Sequence, residues 1–233
     1  MVIANMYIGG CSIERHVGNV RDDKPDYRLC LIAADGSRTV REGVRLSEVI
    51  GLEPWDFVTV QQASPDSGMP ETYALLPELV QWIKAGAPQA TILFHQTWAY
   101  GPHATHSAFP RYGSDQLQMY DAIMHAVRSE VPHAGIRRFI PSGTAIQDAR
   151  TTRLGNDLTR DGYHLSYGIG RYIAACTWFE ALTGRSVVGN TYRPDGSEHG
   201  TEAITAADAL IAQRAAHKAN RHPFRIRRLK GDS

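Results

Sequence analysis

The chain has 233 residues, a formal net charge of +1, 42% hydrophobic and 21% charged residues, a balance that belongs to folded globular proteins and excludes a disordered chain. So small a charge supplies no global field for nucleic acid or an anionic membrane surface. No run approaches the roughly twenty apolar residues of a membrane span, and no signal peptide is legible after Met1, so the chain as written reads as soluble and cytoplasmic.

In chain order, residues 2–8 are short, apolar and β-prone and stop at Gly9-Gly10, a strand running into a tight turn. Ser12 is placed to cap the helix that follows, with Glu14 in its first turn. Residues 27–40 hold two β-prone runs around Asp35-Gly36, a hairpin signal. From residue 56 the rhythm changes. A strand over 56–60 ends at Gln61-Gln62, and Leu75, Leu76, Leu79, Val80 and Ile83 then recur at helical spacing. A second strand over 91–94 ends in His95-Gln96-Thr97-Trp98. A helix capped by Ser114 presents Leu117, Tyr120, Ile123, Met124 and Val127. A third strand over 136–140 ends at Pro141-Ser142-Gly143, where Ser142 and Thr144 could reach a site at the strand ends, although helix capping is the plainer account. The last clear helix, 166–182, carries Ile169, Ile173, Cys176 and Phe179 and is stopped by Gly184. The Ala-rich stretch 201–219 reads as a peripheral helix. Arg225, Arg227, Arg228 and Lys230 read as a solvated basic tail.

Repeated strand, polar loop and helix predict a three-layer α/β/α sandwich with a mainly parallel sheet. One domain spans 1–200, and the helix and basic tail of 201–233 pack on it or trail from it. In such folds ligands gather beyond the carboxyl ends of the strands. The odd cysteine count (Cys11, Cys30, Cys176), without C-x-x-C spacing, defines neither a disulfide framework nor a zinc site.

Asp161-Gly162-Tyr163-His164 stands just before the last clear helix. A carboxylate and an imidazole three residues apart on a turn can meet through Nδ1–H, which leaves Nε2 free to take a proton from a nucleophile. A surface histidine beside a turn-capping aspartate is the plainer alternative for the spacing alone. The segments YIGGCSIERH (7–16), WDFVTVQQAS (55–64), FHQTWAY (94–100), IPSGTAIQ (140–147), DGYHLS (161–166) and GRYIAACTWFEALTG (170–184), in that order, add context. Together they resemble the SGNH (GDSL-type) hydrolases, in an uncharacterised branch, domain-of-unknown-function family 4886.

That resemblance implies a serine ester hydrolase acting on an acyl or acetyl group, with a small-molecule or carbohydrate ester as substrate and no cofactor or metal. It makes His164 the general base and Asp161 its orienting carboxylate. Gly10 and a glutamine of the pair Gln61 and Gln62, standing where the superfamily has asparagine, become the oxyanion donors. The superfamily's nucleophile lies on a first strand ahead of the segment that resembles 7–16. The implied expectation is that this strand is missing here, that the reading frame extends upstream, and that a Gly-x-Ser turn lies roughly 25–35 residues before Met1. Such an extension can also carry a signal peptide, which would make the protein secreted or periplasmic. Ser12, in Gly10-Cys11-Ser12-Ile13, is a second candidate nucleophile. Gly231-Asp232-Ser233 is a decoy, with no strand before it.

His95, Trp98 and Tyr100 are candidate substrate-binding residues suited to stacking on a sugar ring, or else packing residues. His95, His103 and His106 form the weaker metal alternative, because ligation needs a shaped site. A non-catalytic glycan-binding protein, or an inactive truncated relative, is the competing reading of the whole chain.

Overall fold

The structure is a computed structural model that describes residues 1–197 and 200–229. Among these residues six strands form two separate three-stranded sheets, accompanied by seven α-helices. The first sheet is antiparallel throughout, β1 (Ile3–Tyr7), β2 (Tyr27–Ile32) and β3 (Arg38–Val44) in that spatial order. The Asp35-Gly36 turn joins β2 to β3 as its sequence predicts. Gly36 takes φ +85°, and the Asp35 carboxylate accepts the Ser37 amide at 2.9 Å.

The second sheet is parallel, β4 (Phe57–Val60), β5 (Thr91–His95) and β6 (Arg138–Ile140), again in sequence order. Val60 lies opposite Phe94 and His95 opposite Ile140, so the carboxyl ends of all three strands lie at one end of the sheet. The protein is thus mixed α/β, and parallel pairing is confined to three of its six strands. β1 and β2 are separated by a helix, α1 (Ile13–Arg21), yet pair antiparallel. The reason is visible in the register. Tyr7 lies opposite Arg28, so the connection leaves and re-enters at the same end of the pair, and α1 never runs back along this sheet. It buries Ile13 and Val17 against α3 (Leu76–Gly86) instead.

Leu76, Leu79, Val80 and Ile83 of α3 share one core with Met119, Tyr120, Ile123 and Val127 of α4 (Gln116–Glu130) and with Ile92 and Phe94 of β5. Each such side chain contributes about 1.5–3 kcal/mol of burial free energy. A second core joins α5 (Ser142–Ala149), α6 (Ile169–Thr183) and α7 (Ala206–Arg221); a short α2 (Leu46–Ile50) packs Val49 under the antiparallel sheet. Gly184 stops α6 in the left-handed conformation, φ +69°, and Cys176 is a core residue.

Several expectations are corrected. α7 is not peripheral. Ala212, Ala215, Ala216 and Ala219 are fully buried, because a face without bulk lets the helix press closely onto its neighbours. The tail is not solvated over its described length: the Pro223 carbonyl accepts from Gln96 and Thr144, Phe224 meets Phe139 edge-on at 5.0 Å, and the Arg227 amide donates to Asp148 at 2.6 Å. Lys230 and Gly231-Asp232-Ser233 lie outside the described residues. Asp115, not Ser114, caps α4, accepting the Gln118 amide at 2.8 Å. Leu117 and Phe179 face outward, since each sits off its helix's buried stripe.

Candidate active site

The Asp161–His164 pair is built by a tight hairpin turn. An isolated antiparallel bridge between Thr159 and Leu165 closes it, the Arg160 amide donates to the His164 carbonyl at 2.9 Å, and Gly162 supplies φ +88° at the tip. Glycine is needed there on two counts, because a Cβ on residue 162 would also sit 2.6 Å from the Ala104 Cα. Within the turn, Asp161 Oδ1 accepts the amides of Tyr163 (3.1 Å) and His164 (2.7 Å), and Oδ2 accepts from His164 Nδ1 at 2.6 Å.

Burial by itself would raise the Asp161 carboxyl. The hydrogen bonds from the imidazole and the two amides outweigh it and hold the group at about 2, so it is ionised throughout the physiological range. An ionised acceptor requires the proton on Nδ1, which leaves Nε2 with its lone pair. Among the described residues no group hydrogen-bonds Nε2, and the side chain is 54% exposed.

The turn is docked onto the loop that follows β5. Trp98 Nε1 donates to the Tyr163 carbonyl at 2.7 Å, and the Gly101 amide donates to the Gly162 carbonyl at 2.6 Å. Tyr163 packs against Tyr100 and His106 with ring centroids 5.8 and 5.0 Å away. His164 is therefore held at the carboxyl end of the parallel sheet, although it lies outside any strand.

The two glutamines after β4 have different fates. Gln62 is buried and every hydrogen-bonding position of its amide is used: Oε1 accepts from Ile13 (3.0 Å) and Ala63 (2.8 Å), and Nε2 donates to the Thr72 carbonyl and hydroxyl at 2.9 and 3.0 Å. It ties the start of α1 to the end of β4. Gln61 is exposed; its Oε1 lies 2.8 Å from His95 Nδ1, and its Nε2 has no partner among the described residues. Gly10 is exposed as well, at φ +64° in the turn closed by the Cys11 amide on Ile8. Its own amide donates to no described group. A Cβ there would meet nothing within 4 Å, so the backbone angle, not crowding, calls for glycine.

Ser12 caps α1, its hydroxyl accepting the Arg15 amide at 3.1 Å, and it is not hydrogen-bonded to His164. His95 and Tyr100 are interior residues. Tyr100 is fully buried with its hydroxyl 3.0 Å from Ser64, whereas Trp98 is half-buried and offers some surface. His95, His103 and His106 do not converge: no group of three or more His, Cys, Asp or Glu among the described residues is placed to hold a metal ion. For Ser142 the plainer of the two sequence readings, helix capping, is not what the structure shows. Pro141 occupies the cap position of α5, and the Ser142 hydroxyl lies 2.9 Å from His95 Nε2. The signal was present in the pairing of parallel strands, since His95 lies opposite Ile140, two residues before this serine.

The fold and the turn together define a mixed α/β protein that holds an oriented histidine with its Nε2 open to solvent. The chain belongs to the family described as "Domain of unknown function (DUF4886)", whose model matches residues 1–219. It is similar to a DUF4886 family protein from Bacteroides uniformis ATCC 8492 known from a crystal structure, with 44% sequence identity and a TM-score of 0.95, covering 100% of this chain and 88% of that one. A search of curated proteins gave no match.

Proposed function

We propose that this protein is a serine ester hydrolase of the SGNH kind, acting on an acyl or acetyl ester of a small molecule or carbohydrate. The observation that carries the reading is the Asp161–His164 hydrogen bond of 2.6 Å with Nε2 left open to solvent. The three-layer α/β/α arrangement belongs to the same proposal. It is supported by two separate helical cores, one around α1, α3 and α4 and one around α5, α6 and α7, beside a short parallel sheet.

The nucleophile in this reading is a serine on a strand contributed from upstream of residue 1. Two features favour it over Ser12. The Ser12 hydroxyl is engaged in helix capping, and β4, an unbroken apolar-and-Thr run of the sort that parallel sheets bury on both faces, is only half-buried and pairs on one side alone among the described residues. The serine oxygen attacks the ester carbonyl as its proton passes to His164 Nε2. The oxyanion takes hydrogen bonds from the Gly10 amide and Gln61 Nε2. The alcohol leaves with the proton from His164, and water, deprotonated by the same nitrogen, releases the acid and restores the serine.

The test is hydrolysis of p-nitrophenyl acetate by the 233-residue chain and by the full-length gene product, each with and without His164→Ala. The expected result is turnover by the full-length product, reduced by about 10²–10⁴-fold in the variant. Turnover indifferent to His164 contradicts the proposal. Sugar binding without turnover favours the glycan-binding alternative, and sensitivity to EDTA favours the metal alternative.

A further inference from the structure

We propose that His95 is a positioning residue that presents the Gln61 amide as an oxyanion donor. The inference rests on the ester-hydrolase reading and adds a buried Ser142–His95–Gln61 relay to it. His95 is 7% exposed, and Ser142 is fully buried. The imidazole sits between them, Nε2 at 2.9 Å from the Ser142 hydroxyl and Nδ1 at 2.8 Å from Gln61 Oε1. Trp178 and Trp98 meet the ring in T-shaped contacts at 5.0 and 6.3 Å, so two indoles pack against it.

The proton positions follow from satisfying each group. The Ser142 hydroxyl has no other partner among the described residues, so its one proton must go to Nε2 or be left buried without an acceptor. With Nε2 accepting, a neutral imidazole carries its proton on Nδ1, which donates to Gln61 Oε1. Burial holds the ring neutral, pulling its pKa down to about 4. Rotating the Gln61 amide by half a turn would set its NH₂ against Nδ1–H, donor facing donor. The relay therefore locks the carbonyl inward and both Nε2 protons outward, at the exposed carboxyl end of β4. Preorganisation of this sort is what makes a hydrogen-bond donor effective toward a charge that develops only in the transition state.

The experiment uses the full-length gene product and p-nitrophenyl acetate, with variants Gln61→Ala, His95→Phe, their double variant and Ser142→Ala. Gln61→Ala is expected to lower kcat by roughly 10²–10³-fold with little change in KM. His95→Phe should lower it comparably, and the double variant should be no worse than either single one, since both remove the same interaction. If His95→Phe does not fold, Ser142→Ala, which leaves the ring in place, carries the test. It should lower kcat only when Gln61 is present, and ¹⁵N spectra should show His95 passing from a pure Nδ1–H tautomer to a mixture. Independent, multiplying effects of Gln61 and His95 overturn the inference, as does an Nε2–H tautomer in the unmodified protein. Turnover that depends on His164 but not on Gln61 overturns this inference alone, whereas the absence of any His164-dependent turnover overturns it together with the hydrolase reading.

Discussion

At Asp161 one carboxylate performs two tasks, folding the turn through Oδ1 and holding the imidazole through Oδ2. Asparagine in its place separates them. Asp161→Asn keeps an oxygen for the two backbone amides but loses the ionised partner that fixes the His164 tautomer. We predict a modestly lower melting temperature, since the ionised carboxylate is stabilising in the folded state, and a kcat on p-nitrophenyl acetate lower by about 10²–10⁴-fold, read by thermal unfolding and steady-state kinetics on the full-length product. The pair was legible in the sequence because both members sit within one turn. The roles of Gln61 and Gln62 were not, since they are decided by what lies opposite: Ile13 and Thr72 consume one amide, and His95 leaves the other half free. The capping reading of Ser142 failed for the same reason, its partner lying on a neighbouring strand.

Among the elements, the C-terminal segment after α7 shows how packing overrides composition. Its arginines suggested solvent, yet the chain crosses α5, where Asp148 is fully buried and accepts the Arg227 amide at 2.6 Å while Oδ2 has no hydrogen-bond partner among the described residues. Burial pushes this carboxyl up to about 7, against the opposing pull of the Arg227 amide and of the Lys218 and Arg227 charges. A carboxyl raised above its ordinary value of 3.8 keeps its proton in the folded state after the unfolded chain has lost it. Between pH 4 and 7 the folded state therefore binds more protons, and this group's contribution to stability falls as pH rises. Asp148→Asn, uncharged at every pH, should flatten that decline. The check is the difference in melting temperature between pH 5 and pH 8, which should shrink in the variant; an unchanged difference contradicts the assignment. The strand–helix rhythm after residue 56 was readable because apolar spacing is a local signal. The antiparallel pairing of β1 with β2 across a helix was not, since it depends on where α1 buries Ile13 and Val17.

Over the whole molecule, two helical cores and a parallel sheet carry the loop after β5 on which the 161–164 turn is docked, so a short local motif acquires a fixed place it does not itself encode. No described helix is long and apolar enough to cross a membrane. The alternation of strands and helices made the α/β class legible, but the split into two sheets was not, because register is settled by tertiary contacts. The proposal at the centre of this account is that His164 activates a serine nucleophile other than Ser12. Labelling the full-length gene product with a fluorophosphonate, followed by peptide mass spectrometry, tests it most directly. The account predicts one modified serine, other than Ser12, whose labelling disappears in His164→Ala; modification of Ser12, or labelling that persists without His164, would contradict it.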